Sequence, residues 1–296
     1  MIRCCLACGR CEDRLLYRVS RFGVPLSFRK CVCGLISQDP LPTVESIDRF
    51  FNSDIFLSSV HTGQTEVWGY YDYFGEDRCR LLTAQRRYAF LKDFVAPNDV
   101  VLQIGPGTDP LLKLFQDKGN IVIGCDASQK LAQIAATSHS VPMKEGRFEE
   151  QNFASGYFGC ILLLNVIENV PNLGLFLSEI SRTLRAGGYL ILNFVDMHSN
   201  LLQKLQGQRY FLFRPPVCYM FPYTILSMLL AKNGFSTIRF ARDVRYIDLE
   251  KVSTLLRLKW LLSMTRWTGL HKKPFPTYAY PSKLVVARKQ NAGEEV

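Results

Sequence analysis

The chain contains no run of about eighteen consecutive apolar residues, the length a helix needs to cross a bilayer. Its opening residues, MIRCCLACGR, lack the apolar core of an export signal. A cytosolic, that is cytoplasmic, location is the expectation from both absences. No internal repeat or low-complexity tract is visible, which excludes a repeat array as the organising principle. Negative charge is the scarcer sign: 26 Asp and Glu stand against 36 Lys and Arg, a net charge of +10. That balance suits a phosphorylated or carboxylated substrate, an anionic membrane surface or a nucleic acid. The positive residues are scattered, however, with no RNA-motif aromatics among them, and this disfavours nucleic acid. At 296 residues the chain is long enough to bury a substantial core, as one large domain or as a main domain with a small one.

Cysteine is unevenly placed. Cys4, Cys5, Cys8, Cys11, Cys31 and Cys33 crowd the beginning of the chain, while Cys79, Cys125, Cys160 and Cys218 stand singly in apolar or mixed surroundings. Without an export signal, the cluster reads as metal ligands rather than disulfides, and the isolated four as inert packing. Cys5-Leu-Ala-Cys8-Gly9 has the form of a zinc knuckle, in which the glycine permits the tight turn that frees backbone amides for the sulfurs. Its partner is Cys31-Val-Cys33-Gly34, with one residue inside the pair where a zinc ribbon normally has two. The expected ligands are Cys5, Cys8, Cys31 and Cys33, with Cys4 and Cys11 as possible substitutes. Reduced spare thiols and a redox pair are the alternatives.

Further on, strands and helices alternate. Residues 100–104 form an apolar, β-branched run that stops at Gly105-Pro106-Gly107. Helical spacing follows through Leu111, Leu112, Leu114 and Phe115, and a second buried strand at 121–125 ends in Asp126. A helix is expected from Gln129, a short third strand around 141–143, a buried strand at 158–164, a helix at 173–184 and another strand at 189–195, with Arg185 to Gly188 as the turn between these last two. Two final strands are expected at 237–241 and 283–287. This pace argues for a doubly wound, mostly parallel sheet with helices on both faces.

Two stretches admit two readings each. Trp68 to Phe74 is unusually aromatic, and Tyr70, Tyr71 and Tyr73 either cover the core edge or form a lid over a pocket. The basic helix that follows carries Arg78, Arg80, Arg86 and Arg87, read as a solvated face. Residues 248–273 are expected to be helical, with Leu and Trp on one side and Lys and Arg on the other. Such a face either packs over the substrate side or makes peripheral contact with an anionic membrane.

The glycine turn followed by an acid about 20 residues on is the geometry of an adenosine-binding βαβ unit. A dinucleotide site would have a third glycine opening the helix, where this chain has Asp109-Pro110. That pair suits a helix cap and first turn. An acid there also opposes a pyrophosphate, whereas it tolerates S-adenosylmethionine, which carries an ammonium and a sulfonium and no phosphate.

With VLQIGPGTD, GCDAS, FGCILLLNVIENV and FLSEISRTLRAGGYLILNF in that order, the chain resembles the class I S-adenosylmethionine-dependent methyltransferases, from about Tyr70 to Lys289. The cysteine pairs ahead of this core look most like a subgroup that acts on sugars, lipids or other small metabolites. The resemblance implies a seven-stranded Rossmann-like domain at 98–296 with a helical insertion at 245–275. A zinc-ribbon-like module at 1–40 and a helical segment or lid at 41–97 precede it. It also implies that Gly105 and Gly107 form the turn under the methionine part of the cofactor, that Asp126 accepts the ribose hydroxyls, that Phe148 and Glu149 lie by the adenine, and that Asn165 to Glu168 face the methyl group. Each has a plainer alternative: a simple turn for the glycines, a helix cap for Asp126, surface positions for Glu168 and Asn169. The family usually has an acid where Gln103 stands, a glycine at Asp109, an aspartate at Gly159 and a histidine at Asn169.

Methyl transfer depends mainly on in-line positioning, and a general base is needed only for a weakly acidic hydroxyl or amine. Glu168 is the candidate base. Tyr71, His198 and Tyr210 are candidates for substrate contact, with a solvated role as the alternative for His198. The expected activity is methylation, preferably at oxygen, of a small-molecule, glycan or lipid-linked acceptor. A methyltransferase-like scaffold without turnover and a nucleic-acid methyltransferase are the rival readings; the chain lacks the Asn/Asp-Pro-Pro-aromatic sequence of many nucleic-acid amine methylases.

Overall fold

The computed structural model describes residues 4–53, 56, 77–198, 200–248, 273–278 and 281–291. Strands β1 (Asp13–Arg21), β2 (Val24–Cys31) and β3 (Ile36–Gln38) form an antiparallel meander beside the cysteines. The helix Val44–Phe51 follows, capped by Thr43, whose Oγ1 accepts the Ser46 amide at 3.2 Å. After the helix Asp77–Leu91 come β4 (Val100–Ile104), β5 (Ile121–Asp126), β6 (Met143–Glu145), β7 (Phe158–Leu163) and β8 (Leu184–Val195). The chain closes through β9 (Tyr219–Met220), β10 (Phe235–Arg242), β11 (Arg245–Asp248), β12 (Pro274–Thr277) and β13 (Ser282–Lys289).

Seven of these strands make the central sheet, in the order β6-β5-β4-β7-β8-β13-β10. The neighbours from β6 to β8 are parallel, and β13 runs antiparallel to both β8 and β10. This is the doubly wound sheet expected from the alternation, with β7 buried along its whole length, as a strand covered on both faces must be. The strand order reverses between β4 and β7, so the carboxyl ends of these two strands open onto a crevice where ligands bind in such sheets.

Several local expectations are corrected. Arg185 to Gly188 is not a turn between elements but part of β8. Gly187, at φ 68°, belongs to a stretch where the β7–β8 register shifts, and a Cβ at Gly188 would lie 2.9 Å from the carbonyl oxygens of Arg185 and Gly159. The glycine pair makes a bulge inside a strand rather than ending a helix. The third strand starts at Met143 because Pro142 has no N–H for the ladder; its carbonyl accepts from Gly124 at 2.8 Å. The two described ends of the stretch read as a helical insertion are strands, β11 paired with β12, and Pro274 and Pro276 would break a helix there. Residues 249–272, which carry the amphipathic face considered for membrane contact, lie outside the described residues, as do Trp68 to Phe74. Among the described residues, no helix is long and apolar enough to cross a membrane.

Gly159, where the resemblance would place an aspartate, is packed against a carboxylate from elsewhere. A Cβ at Gly159 would run into the side chain of Asp99, which pairs with Arg185 at 2.9 Å. We expect Gly159→Ala to destabilise the protein by about 1 to 3 kcal/mol through overpacking. Denaturant unfolding should show much of that loss recovered when Asp99→Ala is added, whereas additive losses would mean the two positions do not compete for space.

Candidate active site and cysteine cluster

The crevice at the strand-order reversal is a cavity of about 430 Å³. Gly105 and Gly107 turn the chain at the end of β4 with φ of 63° and 52°, conformations that L side chains rarely adopt. A Cβ at Gly105 would also come within 2.8 Å of Val166 Cγ2. Asp126, at the end of β5, accepts the Gly107 amide at 3.2 Å on Oδ2 and the Ser128 amide at 2.9 Å on Oδ1. It is 7% exposed, and burial pushes its carboxyl up to about 6 against the opposing pull of those two amides. Gln103, on β4, is fully buried and lines the cavity, and neither of its amide atoms has a hydrogen-bond partner among the described residues. Phe148 is buried in the short 3₁₀ turn Phe148–Glu150, and Glu149 lines the cavity beside it.

The opposite rim comes from the end of β7. Asn165 has φ 61°, an αL conformation that asparagine tolerates better than most residues. Its amide donates to Asn193 Oδ1 at 2.6 Å, and its Oδ1 accepts from Arg245 at 2.5 Å. Glu168 lines the cavity at 7% exposure, with Oε1 accepting the Val195 amide at 3.0 Å. Burial raises its carboxyl above the usual range, while that hydrogen bond and the nearby Arg245 and Arg214 pull the other way. Among the sequence-derived candidates, Gln103, Gly105, Gly107, Asp109, Asp126, Phe148, Glu149, Asn165 and Glu168 therefore line one cavity. His198 does not: it is exposed, and its amide donates to Asp196 at 3.0 Å. Tyr210 is fully buried away from the cavity lining, its hydroxyl accepting from Asn200 at 2.9 Å. Tyr70, Tyr71 and Tyr73 lie outside the described residues.

Arg87 and Asp243 escaped the sequence reading. Arg87 is buried rather than part of a solvated face. Its guanidinium forks onto Asp243, Nε to Oδ1 at 3.0 Å and Nη2 to Oδ2 at 2.8 Å, and its remaining nitrogen reaches Asp109 Oδ2 at 3.0 Å. Asp243 also accepts from Asn193 at 2.7 Å and Ser282 at 3.1 Å, and the Arg87 charge holds its carboxyl far below the usual range. The signal was available: Arg87 falls four residues from Thr83 and eight from Cys79, both buried, on one helical stripe. Asp109 thus shares the Arg87 guanidinium with Asp243. Its other oxygen accepts the Leu111 amide at 2.9 Å, capping the helix Leu111–Asp117 one residue earlier than an N-cap would.

At the other end of the chain, the sulfurs of Cys5, Cys8, Cys31 and Cys33 lie within 4.8 Å of one another. Cys5 and Cys33 are 3.7 Å apart and Cys8 and Cys31 3.6 Å. A tetrahedral zinc with bonds of about 2.3 Å sets its sulfurs about 3.8 Å apart, so the spacing fits that ion. The single residue inside the second pair is no obstacle: Gly34, at φ 98°, lets the Leu35 carbonyl accept the Cys31 amide at 2.9 Å. Cys4 and Cys11 are not substitutes for these ligands, because they are bonded to each other as a disulfide. The expectation of a disulfide-free cluster is corrected to that extent.

The family model of the methyltransferase domain matches residues 102–192, which span the glycine turn, Asp126, Asn165 and Glu168. An uncharacterized protein of Methanocaldococcus jannaschii is 32% identical over 155 residues, covering 51% of this chain and 71% of that protein. Among solved structures, the magnesium protoporphyrin IX methyltransferase of Synechocystis with bound S-adenosylhomocysteine is similar at a TM-score of 0.54 and 17% identity, over 82% of this chain and 98% of that one. The [4+2]-cyclase SpnF is similar at 0.53 and 16% identity, over 85% and 98%. At those identities the two structural likenesses concern the fold.

Proposed function

We propose that the chain, whose residues 102–192 match the methyltransferase domain, is a class I S-adenosylmethionine-dependent methyltransferase that methylates an oxygen of a small-molecule, glycan or lipid-linked acceptor held against Glu168. The observation that carries the reading is the convergence, in one cavity, of a buried acid, two positive-φ glycines and a buried amide side chain without a partner among the described residues. Asp126 accepts the ribose hydroxyls, one carboxylate serving a vicinal diol. The Gly105 to Gly107 turn brings bare backbone against the amino-acid end of the cofactor, where Gln103 offers both a donor and an acceptor. Phe148 packs by the adenine, with Glu149 beside it. When bound, S-adenosylmethionine supplies a methyl group on a sulfonium, a good leaving group.

Glu168 takes the acceptor proton. Its burial makes it more basic than a surface carboxylate, and the Val195 amide fixes one of its oxygens. Asn165, held in αL by Asn193 and Arg245, sets the rim against which the acceptor orients. Calorimetry with S-adenosylmethionine tests the reading directly, and absence of binding to the wild type sinks it. Gln103→Glu should tighten binding about fivefold, because a charge-assisted bond to the ammonium exceeds a neutral one by about 1 kcal/mol. An unchanged or weaker affinity would place the cofactor ammonium elsewhere.

We further propose that Cys5, Cys8, Cys31 and Cys33 hold one structural zinc, as in methyltransferases with an N-terminal zinc-ribbon-like module. Four thiolates leave no open position for chemistry, so the ion stabilises the module. Elemental analysis should find one equivalent of zinc per chain; less than about half an equivalent refutes the assignment.

A further inference from the structure

The cysteine cluster sits at one end of a small sheet, and the other end of that sheet reaches the loop carrying Glu168. β2 ends in Cys31, the turn through Cys33 and Gly34 returns the chain as β3, and β3 pairs antiparallel with β9, Ile36 with Met220 and Ser37 with Tyr219. Next to this pairing the Gln38 amide donates to the Cys218 carbonyl at 2.9 Å, and the Cys218 amide donates to the Glu168 carbonyl at 2.8 Å. The Tyr219 hydroxyl donates to the Pro171 carbonyl at 3.1 Å. Cys218 and Tyr219 are both buried, so these bonds are shielded from water.

Glu168 is consequently gripped from two sides. The core sheet holds its carboxylate through Val195, and the cysteine sheet holds its main chain through Cys218. Lys232 adds a brace by donating to the Ala7 carbonyl, within the knuckle, at 2.7 Å. The cofactor residues Gly105, Gly107 and Asp126 hang instead from β4 and β5, on the far side of β7. β3 has only three residues, and a strand that short holds its register only while its neighbours do. Whatever pins the Cys31–Cys33 turn therefore pins β3, then β9, then the Glu168 loop.

We propose that the cysteine module is the buttress of the acceptor loop: metal bound at Cys5, Cys8, Cys31 and Cys33 positions Glu168 through β3 and β9, and the cofactor pocket stands without it. This rests on the zinc assignment above. It makes Glu168 a residue whose placement depends on a metal that touches no substrate.

The test compares the full chain, zinc-loaded and chelator-stripped under reducing conditions, by hydrogen exchange and by calorimetry with S-adenosylhomocysteine. Stripping should speed exchange in peptides spanning 165–171 and 217–220 by at least about tenfold, the equivalent of one buried hydrogen bond left unmade, with cofactor affinity changed less than about threefold. Tyr219→Phe keeps all four cysteines and should retain its zinc, yet show faster exchange over 165–171. Unchanged exchange in that loop after zinc loss overturns the proposal. So does loss of cofactor affinity in step with zinc, since the metal would then hold up the whole fold. If the purified chain binds no zinc, the zinc assignment itself falls, and Tyr219→Phe alone decides whether the sheet positions the loop.

Discussion

Replacing Asp126 by asparagine is expected to weaken S-adenosylmethionine binding by about a hundredfold or more, because two hydrogen bonds from the ribose diol to a buried carboxylate are worth roughly 3 kcal/mol or more together. The same substitution should remove a pH dependence from the stability of the free protein. In the folded chain Asp126 titrates at about 6 against an ordinary value of 3.8, because burial disfavours its charge. A group raised in this way favours the folded state fully below the ordinary value, and the favour is lost as pH rises through 6. The ionised form at neutral pH therefore costs about 3 kcal/mol, from a shift of roughly two units at 1.36 kcal/mol each. An asparagine carries no such charge. It recovers less than the full amount, because its NH₂ would oppose either the Gly107 or the Ser128 amide.

Cofactor binding has the opposite pH sense. The proposed diol contact requires the carboxylate, so apparent affinity should fall about tenfold per unit as pH drops below about 6. Calorimetry between pH 5 and 8 reads this. A flat affinity through pH 6, or an Asp126→Asn protein that still binds as the wild type does, would take Asp126 out of the cofactor site.

How much of this site could be read from the sequence depended on how local each feature was. Gly105, Gly107 and Asp126 lie on one continuous strand-turn-helix-strand unit, whose period and glycines are written in consecutive residues. The Asn165 to Glu168 rim was legible because a fully apolar strand ends there. Arg87 was not: its partner Asp243 follows 156 residues later, and a basic residue on a helix ordinarily faces water. Only the stripe it shares with Cys79 and Thr83 marked it. Gly159 was legible as a departure from a family pattern, yet its cause, the Asp99 carboxylate filling that space, requires two strands to be brought side by side. The same holds for β9. Two residues, Tyr219 and Met220, form a strand only because β3 arrives beside them, and no periodicity exists in so short a stretch. Local periodicity was visible in the chain; what joins the glycine turn, the rim and the cysteine module was long-range pairing.

Arg87 gives the second large effect. Substituting methionine keeps the apolar stem of the side chain and removes the guanidinium, leaving Asp243 with a side chain 1% exposed and no full countercharge. Breaking a buried pair from one side costs about 3 to 5 kcal/mol. In the wild type Asp243 is held far below its ordinary range by Arg87, with Arg245 assisting, so its contribution is present above the ordinary pKa of 3.8 and is lost only as pH falls well below that value. Without Arg87, burial has no equal opponent and the carboxyl rises, so Arg87→Met should lose stability as pH increases. The gap between wild type and variant is then widest at neutral pH and narrows toward pH 4. Adding Asp243→Asn, which keeps the bonds from Asn193 or Ser282 within reach and removes the stranded charge, should recover part of the loss. Denaturant unfolding at pH 5 and pH 7.5 measures all three proteins. A loss below about 1 kcal/mol, or one independent of pH, would mean that Asp243 finds its countercharge in Arg245 alone. Arg245, which also holds Asn165, would then be the residue that neutralises the buried acid and ties it to the rim of the site.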